Sequence, residues 1–114
     1  MTSITSRNNR LIIDTAKLSS RKYREENGLF YFEGRKLLDE ALANNVPIVR
    51  VFLTEKNAHL ASSLPDGIEK YLVSDEVYSK LSEEKSPEGV FSVAKHLDSL
   101  HIFATIYNGL KCER

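Results

Sequence analysis

Leu29-Phe30-Tyr31-Phe32, followed at once by Glu33-Gly34-Arg35-Lys36-Leu37-Leu38-Asp39-Glu40-Ala41-Leu42, is the stretch that decides the fold. Four consecutive apolar or aromatic side chains between Gly28 and Gly34 predict a buried strand rather than a half-exposed one. Beyond Gly34, Leu37, Leu38, Ala41 and Leu42 form one helical stripe that ends near Asn44-Asn45 and Pro47. A strand passing directly into a helix is half of an α/β unit, and the alternation recurs downstream. Ile48-Val49-Arg50-Val51-Phe52-Leu53 predicts a second strand, Lys56 to Ser63 a short helix capped by Thr54, and Ile68 to Val73 a third strand. Ser74 or Asp75 caps a helix carrying Val77, Tyr78 and Leu81. The polar loop from Ser82 to Glu88 then leads into Gly89-Val90-Phe91-Ser92-Val93-Ala94 as a fourth strand. Upstream, Leu11, Ile12, Thr15 and Ala16 predict a helix from Thr5 to about Arg21 with Ser6 as its N-cap, and Glu25-Glu26-Asn27-Gly28 breaks the chain. The expected class is α/β, with helices packed on a central sheet of about four strands.

A chain of 114 residues, 41% hydrophobic and 28% charged, suits one globular domain with a modest core. No apolar run approaches the roughly 20 residues that span a bilayer, and residues 1–7 lack the apolar segment of a secretory signal. A single cysteine, Cys112, excludes an internal disulfide and fits a reducing compartment, so a cytoplasmic location is expected. The net charge is zero, yet residues 1–36 hold eight basic and four acidic side chains, and the remainder eight basic and twelve acidic. Segregated charge of this kind places a positive field on one region. Taken by itself it is better explained as a solvated helix face.

Catalytic patterns are not evident. His59, His96 and His101 are scattered without metal-ligand spacing, and no Gly-rich phosphate loop occurs among the five glycines. Glu25-Glu26 and Glu83-Glu84 lie in polar turns, where carboxylates are solvated rather than tuned. Two segments stand out. In the first, Lys17-Leu18-Ser19-Ser20-Arg21-Lys22-Tyr23-Arg24 precedes the aromatic strand and Gly34-Arg35-Lys36 follows it. Basic side chains at a helix start, with a glycine allowing close approach, suit a phosphate backbone, and Tyr23 suits stacking on an unpaired base. A plain helix cap and a half-buried aromatic account for the same residues. In the second, Lys85-Ser86-Pro87-Glu88-Gly89-Val90 forms a stiffened loop with Lys and Ser at its tip, readable as an RNA contact or as a simple entry into the last strand.

The ordered set Thr5-Ser6-Arg7-Asn8-Asn9, Arg21-Lys22-Tyr23-Arg24-Glu25, Phe32-Glu33-Gly34, Lys36-Leu37-Leu38 and Lys85-Ser86-Pro87-Glu88-Gly89-Val90 resembles the N-terminal substrate-binding domain of the SpoU/TrmH family of RNA 2′-O-ribose methyltransferases. The similarity covers roughly residues 3–97. It implies a three-layer α/β/α sandwich like that of ribosomal and kink-turn RNA-binding proteins. It also implies RNA contacts at Gly34, Arg35 and Lys36, then at Lys85, Ser86 and Pro87, with Arg21, Lys22 and Arg24 as further RNA-binding candidates and no catalytic or metal residue.

In the intact enzyme such a domain precedes a knotted SPOUT domain that binds S-adenosylmethionine, forms a homodimer and methylates rRNA or tRNA. The Asn-Pro-Gly-Asn type motif of that second domain does not occur in these 114 residues. The expectation is therefore an RNA substrate-binding domain over residues 1–97, with 98–114 a linker or the start of the catalytic domain. This chain is expected to bind structured RNA, rRNA ahead of tRNA, as a monomer, without cofactor or activity of its own and with no DNA or membrane partner. A free-standing kink-turn-type RNA-binding protein, or an α/β module for protein interaction, are the competing classes. The segment His101 to Tyr107 reads as a strand leading into an Asn108-Gly109 turn, either an edge strand or the opening of a further unit.

Overall fold

The structure, a computed structural model, describes residues 1–95. The expected strand at 101–107, the linker, His96, His101 and Cys112 lie outside the described residues. Among the described residues the sheet has five strands rather than four: β1 (Thr2–Ile4), β2 (Leu29–Glu33), β3 (Ile48–Leu53), β4 (Glu69–Val73) and β5 (Val90–Lys95), in the order β1-β4-β3-β5-β2. The added strand, β1, pairs in parallel with β4 through Thr2 opposite Tyr71 and Ile4 opposite Val73. Three residues are too few to display a two-residue period, so only the waiting edge of β4 makes them a strand.

β3 lies between β4, to which it is parallel, and β5, to which it is antiparallel, and β2 pairs antiparallel with the other side of β5. Alternation along β3 feeds two cores. Val51 and Leu53 join Phe32, Val90 and Ala94 beneath Leu38 and Ala41. Phe52 joins Phe91 and Val93 against Ile12, Leu18, Val77 and Tyr78. Burial on both faces explains why β3 and β5 read as largely apolar runs, interrupted only by Arg50 in β3 and Ser92 in β5 before the terminal Lys95. β2 has the same kind of sequence but a different setting. It buries Phe32 while Leu29, Phe30 and Tyr31 are half-buried, short of the full burial expected of the run.

The expected helix over 5–21 is instead several pieces. α1 (Arg10–Ala16) is capped by Asn9, whose Oδ1 accepts from the N–H of Leu11 at 2.9 Å, whereas Ser6 Oγ accepts from the Asn8 N–H in the preceding turn. A 3-10 turn over Lys17–Ser19 follows, and extended Ser20 caps α2 (Arg21–Asn27). Glu25, Glu26 and Asn27 thus continue a helix that was expected to have ended. Short caps compete with helix continuation because Ser and Asn side chains satisfy the free N–H groups of a new first turn.

α3 (Arg35–Ala43) and α4 (Asp75–Leu81) fall where expected, with Ser74 Oγ accepting from the Val77 N–H. The segment Glu55–Ser63 winds as a 3-10 helix, and Thr54 makes no side-chain cap bond to it. Ser92, fully buried on β5, has no hydrogen-bond partner for its hydroxyl. A desolvated, unmatched hydroxyl costs on the order of 1–3 kcal/mol. Ser92→Ala is expected to raise stability by about 1 kcal/mol, measured as an increased urea midpoint; a fall would mean that the hydroxyl is matched after all.

Candidate nucleic-acid interface

Strand directions bring the sequence candidates to one end of the sheet. β2 and β3 are both antiparallel to β5 and so run the same way, and β4 and β1 are parallel to β3. The start of α3, the segment after Thr54, the start of α4 and the loop entering β5 therefore share the end where β1 to β4 finish. In open α/β sheets, ligands bind outside those carboxyl ends.

Gly34 leaves β2 with φ +99 and ψ 153, a conformation essentially restricted to glycine, and its N–H donates to Val90 O at 2.8 Å. The next N–H, of Arg35, donates to Glu88 Oε2 at 3.1 Å. The other carboxylate oxygen, Oε1, lies 3.1 Å from the point a Cβ on Gly34 would occupy. Glu88 thus closes the amino end of α3 with its own negative charge. The expected approach of a phosphate to that backbone meets a carboxylate already in place, which leaves the Arg35 and Lys36 side chains as the cationic groups there.

The loop is tied down a second time. Asn57 Nδ2 donates to Glu88 O at 2.7 Å, and Thr54 N–H donates to Gly89 O at 3.1 Å. Pro87 and Gly89 line a hollow of about 270 Å³ together with Thr54, Lys56, Asp75 and Tyr78. Exposed Lys36, Lys56 and Lys85 have no ion pair among the described residues, while Arg35 Nε is 3.7 Å from Asp39. Lys56 and Glu88 were missed from sequence. The polar segment after a strand carries no signal for Lys56, and Glu88 is not separable from its motif neighbours until the turn into β5 brings its carboxylate against Gly34 and the Arg35 N–H.

The α2 candidates lie elsewhere. Leu18 and Tyr23, at the foot of α2, pack in the core of Phe52 and Phe91, across the sheet from the core that holds Leu38 and Ala41 of α3. Arg24 directs Nη1 to the carbonyls of Leu18 at 2.8 Å and Ser19 at 3.2 Å, clamping the preceding turn. Arg21 pairs with Glu25 at 3.0 Å. Lys22 is exposed beside Tyr23, over whose ring Lys17 Nζ sits 5.8 Å from the centroid. The nine candidates therefore divide into a joined group, Gly34 to Lys36 with Lys85 to Pro87, and a separate group on α2. Among the described residues, no three or more His, Cys, Asp and Glu side chains gather as a metal site, and no helix is long and apolar enough to cross a membrane.

Behind the joined group, Tyr78 is 1% exposed and donates to Glu33 Oε1 at 2.9 Å. Burial, reinforced by the Glu33 charge, pushes its phenol well above the ordinary range. The folded state therefore favours the neutral phenol. Stability from this source is complete below the ordinary tyrosine pKa of about 10 and declines as pH rises beyond it, where the unfolded chain loses the proton first. Denaturation midpoints measured from pH 8 to pH 11 should fall for the native chain and fall less steeply for Tyr78→Phe. Equal slopes would remove Tyr78 as the cause.

The hollow beside Pro87 is open and flanked by Lys56 and Asp75. A second hollow, along β1 and β4, is lined by Ser3, Thr5, Glu55, Ser74 and Asp75 among others.

The chain is similar to proteins of one kind. The family model of the MRM3-like substrate binding domain matches residues 9–92. The 23S rRNA (guanosine(2553)-2′-O)-methyltransferase RlmP of Bacillus subtilis is 31% identical over 93 residues, spanning 82% of this chain and 37% of that protein. An uncharacterized tRNA/rRNA methyltransferase of Synechocystis is 37% identical over 93 residues, spanning 77% of this chain and 34% of its own length. The crystal structure of an RNA 2′-O ribose methyltransferase superposes with a TM-score of 0.72 at 25% identity, covering 85% of this chain and 38% of that one. An AdoMet-bound rRNA methyltransferase from Sinorhizobium meliloti shares the fold with a TM-score of 0.73 at 22% identity, covering 84% and 37% of the two chains. This chain spans little more than a third of the length of these relatives.

Proposed function

This chain belongs to the MRM3-like substrate binding domain family, and from that premise we propose that it grips structured rRNA for a SpoU/TrmH-type ribose 2′-O-methyltransferase in the cytoplasm. The observation that carries the reading is the junction at one end of the sheet. There Glu88 holds the Lys85–Gly89 loop against the start of α3 while Asn57 ties it to the segment after β3, so that Arg35, Lys36 and Lys85 sit on linked elements.

In this reading the fold is the three-layer α/β/α sandwich of ribosomal and kink-turn RNA-binding proteins, and residues 1–97 form the domain. Arg35, Lys36 and Lys85 contact phosphates, with Gly34, Ser86 and Pro87 shaping the surface. Arg21 and Lys22 supply a second contact on α2, and Arg24 holds the turn beneath them. Phosphate contacts set register and orientation. In this reading methyl transfer from S-adenosylmethionine to a ribose 2′-hydroxyl, and the homodimer expected of the intact enzyme, belong to the part of the relatives that this chain does not span. The chain supplies positioning, which lowers the entropic cost of bringing the ribose to the methyl donor.

Arg35→Ala with Lys36→Ala is expected to weaken binding roughly tenfold to a 23S rRNA fragment centred on guanosine 2553, the position named for the Bacillus subtilis relative. The plot of log affinity against log salt should also flatten by on the order of one unit, because fewer counterions are released. Fluorescence titration across a salt series measures both. Unchanged affinity and slope would exclude the α3 start from the interface.

A further inference from the structure

We propose that Glu88 is a positioning residue for RNA: its carboxylate latches the Lys85–Gly89 loop to the start of α3 and so sets the spacing of the cationic side chains on both. The inference rests on the RNA-binding reading above and names the group that organises that surface. Several observations converge on it. Glu88 Oε2 accepts from Arg35 N–H at 3.1 Å, across 53 positions of sequence. Gly34 leaves just enough room for Oε1, at 3.1 Å from its absent Cβ, so the close approach depends on glycine there. The Glu88 carbonyl accepts from Asn57 at 2.7 Å, which fixes the backbone from which the carboxylate reaches. Gly34 N–H donates to Val90 O at 2.8 Å, so the two strands that present the latch are locked in register beside it.

A surface carboxylate among phosphate-binding lysines is a liability unless it does something else, since its charge repels the ligand. Here its charge is directed at the free N–H of a helix start, where a negative group is stabilised by the helix dipole. Through one bond, Lys85 on the loop is held to Arg35 and Lys36 on the helix, and the adjoining Asn57 bond ties the same loop to the segment after β3, from which Lys56 lines the hollow beside Pro87. A spacing matched to successive phosphates gains affinity because fewer side-chain arrangements must be lost on binding.

Three variants separate position from charge in the full 114-residue chain. Glu88→Gln retains an acceptor for Arg35 N–H and removes the charge. Glu88→Asp retains the charge and falls short by one methylene. Glu88→Ala removes both. Binding to the 23S rRNA fragment is read by titration over a salt series, and exchange of the Arg35 amide by hydrogen–deuterium exchange.

The latch predicts affinity for Glu88→Gln at or above that of the native chain. It predicts roughly fivefold weaker binding for Glu88→Asp and Glu88→Ala, as expected for partial loss of one or two charge-assisted contacts. Arg35 exchange should be faster in the latter two alone. Equal affinity in all four proteins, or tighter binding by both uncharged variants, would overturn the proposal, as would unchanged Arg35 exchange in Glu88→Asp. Should the native chain bind the fragment no better than heparin displaces it, the RNA reading fails. The exchange data would then still decide whether the latch exists.

Discussion

Gly89→Ala should lower the unfolding free energy by about 3 kcal/mol, combining backbone strain of roughly 1–3 kcal/mol with overpacking of similar size. Gly89 sits at φ +91, where L side chains are strained whatever the space around them. The space is also taken. A Cβ there would collide with Thr54 Oγ1, stand 2.8 Å from Asn57 Nδ2 and lie 3.2 Å from Thr54 Cβ. Neither neighbour can simply withdraw, because Asn57 Nδ2 is bound to Glu88 O and Thr54 N–H to Gly89 O. In a domain of this size the melting temperature should fall on the order of 15 °C. Gly67→Ala is the control, since no heavy atom lies within 4 Å of its Cβ position and its φ is not positive; it should change stability by less than about 0.5 kcal/mol. Urea unfolding of both variants checks the pair. Similar small losses in the two would mean that the Thr54–Asn57 wall yields.

The second large effect is expected at Phe91. Its ring stacks on Tyr31 at 5.2 Å and meets Phe52 at 6.2 Å and Tyr78 at 6.3 Å edge to face, and it is 1% exposed. Phe91→Ala should cost about 3–5 kcal/mol, because the sheet on which these rings stand cannot collapse into the void. Phe91→Leu should cost less, on the order of 1–2 kcal/mol, because leucine fills part of the void but makes none of the ring contacts. Denaturant midpoints at constant m-value measure the difference, and a loss below about 2 kcal/mol for the alanine variant would show that the cluster relaxes around the gap. Phe91 also adjoins the loop that carries Glu88 and Gly89, so the same variant tests how far the proposed RNA affinity depends on a rigid β5.

Much of the architecture was legible. The apolar run Ile48 to Leu53 reads as a strand because both its faces are buried, and the stripe Leu37, Leu38, Ala41, Leu42 reads as a helix because one face is. Errors fell where neighbours, not local pattern, decide. Leu29 to Phe32 reads as fully buried yet keeps three of its four side chains half-buried, because strand order is a property of pairing that composition does not encode. Thr2 to Ile4 becomes β1 only because β4 offers it a partner. Asn9 displaced Ser6, and Ser20 divided a continuous helical pattern, because several capping side chains lay within reach and tertiary packing chose among them.

The candidate surface divides in the same way. The sequence determined which residues could meet a phosphate: the basic side chains around Gly34, those of the Lys85 loop, and those of α2. Their order along the chain also carried the family resemblance. Tertiary structure alone decided which of them act together. The shared strand direction of β2 and β3 sets Gly34 and the Lys85–Gly89 loop at one end of the sheet, while α2 packs across it. Glu88, unremarkable in sequence, becomes the joint between them because a hydrogen bond requires about 3 Å. Residues 53 positions apart reach that distance only once the strands are paired.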